Sequence, residues 1–179
     1  MSVIYYAAMS VDGFIATATG GVEWLETLPP VDDGYGYDAF YGGVDALVMG
    51  RATYEQIQDF GEWPYAGKPA WVLGRGLLPA MHPDVIISQA SVQEVMAEIR
   101  ARGLGITWLV GGGQLARAFL DAGLVTELYV TITPHLLGAG IPLLAPGATQ
   151  VTALRLLDSR VYDVGVVQLR YAVASSGES

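Results

Sequence analysis

No cysteine occurs among the 179 residues, which excludes disulfides, thiolate catalysis and Cys-ligated zinc. Histidine is nearly as scarce. His82 and His135 are the only two, too few to build a zinc enzyme, so no metal is expected. Positive charge is thin as well. Nine bases face 18 acids for a net charge of −9, so the chain repels phosphate backbones and nucleic acid is not an expected partner. No apolar stretch approaches about 18 residues free of Gly, Pro and charge, so no membrane span is expected. The start, Met1-Ser2-Val3-Ile4-Tyr5-Tyr6, lacks the basic and apolar regions of a signal peptide. A cytoplasmic protein is the default reading. Gly-x-Ser-x-Gly and Gly-x-x-x-x-Gly-Lys-Ser/Thr are both missing, so neither a hydrolase elbow nor a P-loop is present.

What is abundant is apolar. Hydrophobic residues make up 52% of the chain and charged ones only 15%, so a large core can form and disorder is not expected. A chain of this length can bury roughly 70% of the surface it exposes when unfolded. One domain over residues 1–173 is expected, with a disordered tail over 174–179.

Val3 to Ala8 is β-prone and apolar, and Phe14-Ile15-Ala16 extends it past a turn at Asp12-Gly13. Tyr37 to Tyr41 suggests a short helix. Ala46 to Met49 is a strand running into Gly50-Arg51-Ala52-Thr53 and a helix through about Phe60. Pro69 to Leu73 and Val85 to Ile87 are further strands. Ser91 and Glu94 form a capping box for a helix to about Arg102, with Val92, Val95, Met96 and Ile99 on one stripe and Gly103 as its stop. Ile106 to Val110 is a strand ending in Gly111-Gly112-Gly113, before a helix closed by Gly123. Leu124 to Thr133, Thr152 to Tyr162 and Val166 to Val173 are the last strands, the final two joined as a hairpin at Asp163-Val164-Gly165. Strands alternate with helices, and the last strands come in succession. The pattern predicts an α/β fold, with a mostly parallel central sheet, an antiparallel C-terminal edge and flanking helices.

Two segments share one design, strand then glycine then helix: Met49-Gly50-Arg51-Ala52-Thr53 and Val110-Gly111-Gly112-Gly113-Gln114. Glycine lets a backbone approach a ligand closely. A helix start offers unpaired N–H groups and about half a positive charge. Two such starts can hold the two phosphates of a dinucleotide, with Arg51 and Arg75 supplying charge for a third. Gly111-x-Gly113-x-x-Ala116 also matches a degenerate Rossmann fingerprint, but it lies far from the first strand. The acid in the next strand, Glu127, also comes too early.

Ala8-Met9-Ser10-Val11-Asp12-Gly13-Phe14-Ile15-Ala16 resembles the opening of dihydrofolate reductase. It resembles still more the reductase domain of the bifunctional riboflavin-biosynthesis deaminase-reductase. Met49-Gly50-Arg51-x-Thr53-Tyr54-Glu55, Val72-Leu73-Gly74-Arg75, Leu109-Val110-Gly111-Gly112-Gly113 and Leu128-Tyr129-Val130-Thr131 resemble later stretches in family order. The resemblance implies a dihydrofolate reductase-like three-layer fold and an NADPH-dependent reductase, usually dimeric. The implied substrate is small and pterin-like or pyrimidine-like, as in 5-amino-6-(5-phosphoribosylamino)uracil reduction. It places Ala8 and Ile15 at the nicotinamide and Gly50, Arg51 and Thr53 at phosphate. Leu73, Gly74 and Arg75 fall at the adenosine end. Gly111, Gly112, Gly113 and Gln114 line the pyrophosphate and nicotinamide side, in the segment that in the family contains a cis Gly–Gly bond. Trp24, Tyr37, Phe40 and Thr131 would meet the substrate.

Two departures stand out. Position 74 is Gly where the family usually has a hydroxyl residue, and the acid of the first helix falls near Gly36. Asp12 and Asp38 are the catalytic candidates that remain. Asp12 also suits a turn and Asp38 a helix surface. His135 suits an exposed strand end. Two other functions fit the same fold: a non-catalytic nucleotide- or pterin-binding module, and a flavin-binding oxidoreductase. A homodimer is the expected assembly, and Leu124 to Thr133 and Leu136 to Leu144 suit either its buried surface or the core.

Overall fold

The computed structural model describes residues 1–59, 61–76, 79–147 and 151–174. The strands are β1 (Ser2–Ser10), β2 (Phe14–Ala16), β3 (Ala46–Gly50), β4 (Ala70–Leu73), β5 (Val85–Ser88), β6 (Ile106–Gly111), β7 (Glu127–Thr133), β8 (Ile141–Pro142), β9 (Leu154–Val161) and β10 (Val167–Val173). The α-helices are α1 (Tyr37–Gly42), α2 (Arg51–Gln58), α3 (Val92–Ala101) and α4 (Gly113–Asp121).

Eight strands form one sheet in the order β5-β4-β3-β6-β1-β7-β10-β9, and β2 pairs with β8 outside it. From β5 to β7 every pairing is parallel. β10 runs antiparallel to both β7 and β9. The expected parallel sheet with an antiparallel edge is therefore present.

Alternation along β1 divides the core. Val3 and Tyr5 join Val95, Met96, Ile99, Ala116 and Phe119 of α3 and α4 on one face. Ile4 and Tyr6 join Tyr54 and Ile57 of α2 on the other, with Tyr37, Phe40 and Tyr41 of α1 packed against them. The period of two puts successive side chains into opposite layers, and the 3.6 period of the helices turns one stripe inward.

Several boundaries differ from expectation. β1 is longer than Val3 to Ala8 and pairs with β7 to its end at Ser10↔Thr133. β7 starts at Glu127 because Thr126 is used otherwise: its Oγ1 accepts from the Val3 amide at 3.0 Å and donates to the Val3 carbonyl at 3.0 Å. α2 ends at Gln58, and Phe60 lies outside the described residues. Ala174 donates its amide to Ala153, so the ordered chain reaches past 173. The rest of the expected tail lies outside the described residues.

β7 is interior to the sheet. Both of its backbone edges are therefore paired, and of the strand expected over Leu124 to Thr133 only its side-chain faces could enter a dimer surface. Leu143 and Leu144 at the end of the Leu136 to Leu144 run pack against the core, whereas Leu136 is exposed. A further group of exposed apolar side chains lies on β9, with Leu154, Leu156, Leu157 and Val161 in solvent.

Candidate active site at the strand ends

β1 and β6 stay paired only through Tyr5↔Leu109. β1 then continues beside β7 alone, with Ala7, Ala8 and Met9 against Val130, Thr131 and Ile132. Beyond that pair no pairing joins Ala8 to the end of β6, which leaves a gap in the ladder between the two strands. In an open α/β sheet, ligands bind in such a gap at the carboxyl ends of parallel strands.

β6 is deflected where the gap starts. Its register with β3 jumps between Val48↔Leu109 and Met49↔Gly111, a bulge that re-aims the chain. Gly111 and Gly112 then turn it with φ of 153° and 67°, values that favour glycine. No cis peptide occurs among the described residues. The cis Gly111–Gly112 bond implied by the resemblance is absent, and the bulge with two positive φ angles does the turning.

The glycines bring two helix starts together. A Cβ on Gly50 would lie 3.8 Å from the Gly111 carbonyl oxygen. A Cβ on Gly112 would lie 3.6 Å from Thr53 Oγ1. Neither α2 nor α4 has a side-chain cap, whereas Ser91 and Glu94 form the expected capping box on α3. The free N–H groups of α2 and α4 are thus left for something other than their own side chains.

Gly113 has a different task. A Cβ there would collide with the Pro142 carbonyl oxygen and approach the Ala145 nitrogen to 3.3 Å. The segment from β8 to Ala145 lies on it, held by Ala145 N–H to the Gly113 carbonyl at 3.0 Å. Gln114, next in the helix, is exposed.

Leu73 ends β4 beside Gly50, and Gly74 comes next. Arg51 reaches across to this turn. Its Nε donates to Glu55 Oε1 at 2.8 Å and its Nη1 to the Arg75 carbonyl at 3.0 Å. A Cβ on Gly74 would stand 2.8 Å from the Arg51 Cβ. The missing hydroxyl at 74 thus has a steric cause, and Arg51 belongs to the corner at this turn with Arg75, which is exposed. The i,i+4 spacing of Arg51 and Glu55 was a readable signal for this pair.

The roof is formed by β2 and the loop after it. Ile15, half-buried, lies in β2, which pairs with β8. Gln56 of α2 donates to the Gly20 carbonyl at 2.6 Å, which ties the loop down. Trp24 lies in a short 3-10 turn, edge-on to His135 with ring centres 5.5 Å apart. Thr27 Oγ1 is 3.0 Å from His135 Nε2, and Thr133 Oγ1 is 3.1 Å from Nδ1. His135 is therefore not a bare surface group, and nothing in its local sequence signals this.

The substrate candidates separate. Phe40 packs edge-on against Tyr6 at 4.6 Å and Trp108 at 5.5 Å. Tyr37 stacks on Tyr41 at 5.7 Å, and burial pushes its hydroxyl up to about 12. Thr131 is beside Ala8 but buried, its Oγ1 accepting from Gln168 Nε2 at 3.0 Å. Gln168 also donates to the Tyr35 carbonyl and accepts from the Tyr129 and Tyr162 hydroxyls. This polar knot, which the sequence does not reveal, engages the Thr131 hydroxyl oxygen as an acceptor.

Neither carboxylate is positioned as an acid. Asp12 accepts from Ser10 Oγ at 2.6 Å, from Leu137 N–H at 3.1 Å and from Gly138 N–H at 2.7 Å. The Ser10 bond above all holds its pKa below 3.8, so it stays ionised. Asp38 sits exposed on the first turn of α1.

The fold and the strand-end gap define a dihydrofolate reductase-like protein. Dihydrofolate reductase from Enterococcus faecalis, solved with NADP(H), superposes with a TM-score of 0.68 at 20% identity, over 96% of each chain. At that identity the likeness is one of fold. The chain belongs to the RibD C-terminal domain family, whose model matches residues 68–168. It is 30% identical to the Bacillus subtilis protein YwjB over 96% of this chain and 97% of that one. A Shewanella sp. PV-4 protein whose name assigns it to riboflavin biosynthesis is 30% identical, with a TM-score of 0.87 over 97% and 99% of the two chains. The family places the chain among reductase-type proteins. No helix of the described residues is long and apolar enough to cross a membrane.

Proposed function

We propose that the chain is an NADPH-dependent reductase of a small, flat, pterin-like or pyrimidine-like molecule. The observation that carries this is the pairing of two uncapped helix starts, α2 and α4, beside the gap at Ala8. The residues fit a dinucleotide. Gly50, Gly111 and Gly112 leave a cradle that a Cβ would fill, with Thr53 Oγ1 at its side. Arg51 and Arg75 add positive charge at one end. When bound, the reduced nicotinamide supplies the hydride, and the protein supplies orientation.

In this reading the N–H groups of α2 and α4 hold the pyrophosphate. Ala8, Gly111 and Ile15 would face the ring, with Gln114 on the same side. Trp24 and the loop pinned by Gln56 exclude water. Phe40, Tyr37 and the neighbouring aromatics offer a wall for a flat substrate. A water molecule delivers the proton, since Asp12 is held ionised and Asp38 lies on an exposed turn. That lack of a placed acid also favours a second reading, a module that binds the dinucleotide without turnover.

The test is fluorescence titration with NADPH and NADH, then a screen of pteridines and aminopyrimidines for loss of NADPH absorbance. Charge-assisted hydrogen bonds are worth about 1.5–3 kcal/mol, so NADPH is expected to bind roughly tenfold or more tighter than NADH. Oxidation of NADPH by one of these compounds supports the reductase. Binding without oxidation across the panel supports the module.

A further inference from the structure

We propose that Glu55 is a specificity residue: it acts as a resident anion on Arg51 and sets how strongly the site prefers a 2′-phosphorylated dinucleotide. This rests on the dinucleotide reading above and concerns its adenosine end.

Arg51 is not a free cation at the gap. Glu55 holds its Nε at 2.8 Å and the Arg75 carbonyl holds its Nη1 at 3.0 Å. The neighbouring turn is shaped around it. A Cβ on Gly74 would meet the Arg51 Cβ at 2.8 Å, and one on Gly76 would stand 3.1 Å from Arg51 Nη1. The guanidinium is therefore fixed in direction by one helix and one turn. A guanidinium carries five N–H donors, so the edge away from Glu55 keeps donors for a phosphate. Its charge, however, is matched by the carboxylate beside it.

Both side chains are about half exposed, at 42% and 46%. Solvent screens the pair, so the carboxylate moderates the attraction for a phosphate and does not cancel it. A 2′-phosphate then gains from Arg51 less than it would from a free arginine. A dinucleotide without that group loses nothing to Glu55. The result is a site whose preference is graded by one carboxylate. Glutamine keeps the helix propensity and the reach of glutamate while removing the charge.

The experiment is isothermal titration of wild type, Glu55→Gln, Arg51→Ala and the double variant. The ligands are adenosine 2′,5′-bisphosphate, ADP, NADPH and NADH. Circular dichroism confirms that each variant is folded. Glu55→Gln is expected to tighten the two 2′-phosphorylated ligands about three- to fivefold, the scale of an exposed ion pair. ADP and NADH should stay within error of wild type. Arg51→Ala should remove that gain whichever residue stands at 55. Equal tightening of all four ligands by Glu55→Gln would mean a general charge effect and overturn the proposal, as would no change in any. If none of the four proteins binds any of the four ligands, the dinucleotide reading itself falls, and this inference with it.

Discussion

Gly113 and Asp12 both look like ligand or catalytic residues along the chain, and in the fold each holds backbone to backbone. Gly113 lies under the carbonyls of Pro142 and Leu143. Alanine in a helix gains up to about 1 kcal/mol over glycine, but forced overpacking costs about 1–3 kcal/mol. The second effect wins, so Gly113→Ala should lower unfolding stability by about 1–2 kcal/mol in a urea titration. A midpoint equal to wild type would show that the segment after β8 can shift freely. Asp12 ties the β1–β2 turn to Leu137 and Gly138. Its folded pKa lies below 3.8, so its stabilisation is present above that value and is lost as pH falls through the folded pKa. Asp12→Asn should melt below wild type at pH 7, with the gap closing beneath pH 3.8. A gap independent of pH would assign the effect to shape and not charge.

Among the elements, the contrast between helix starts is the clearest functional signal. α3 carries its own cap, and Ser91→Ala should cost about 1 kcal/mol with the NADPH titration unchanged. α2 and α4 have no cap to lose. The roof is also an element-level device, pinned at Gly20 by Gln56 and at Thr27 by His135. Gln56→Ala removes one pin. Limited proteolysis within residues 17–21 should then run faster than in wild type, and bound NADPH should slow it in both. Equal cleavage rates without ligand would mean that the loop is held by its own turn at Thr17 and Gly21 alone. The capping box, the strand–glycine–helix units and the closing hairpin were all legible in local residue order, because each depends on neighbours within about four positions.

At the scale of the molecule, β9 is the outstanding surface. Leu154, Leu156 and Leu157 are 43%, 52% and 41% exposed and Val161 is 75% exposed, all on one edge strand. Natural edges are usually short, charged or covered. A second copy of the chain is the occupant we expect, making the homodimer proposed from sequence a β9 assembly. Light scattering should give twice the chain mass of 19.0 kDa. Leu156→Lys with Leu157→Lys should give the monomer. A wild-type monomer at all concentrations would remove the dimer altogether.

The order of elements, the α/β class, the glycine-lined strand ends and the family resemblance were set down in the sequence itself. Periodicity, caps and glycine positions act locally, and their meaning survives without knowing what lies opposite. Which partners meet across the fold was not encoded there in readable form. Arg51 meets Arg75 across 24 positions and Asp12 meets Gly138 across 126. Gln168 meets Tyr35 across 133. Such contacts depend on strand order and register, which no local pattern encodes. Only the assembled sheet decided that β7 is interior, that Thr131 is covered, that Gly113 is a packing glycine and that Arg51 is shared between a helix and a turn.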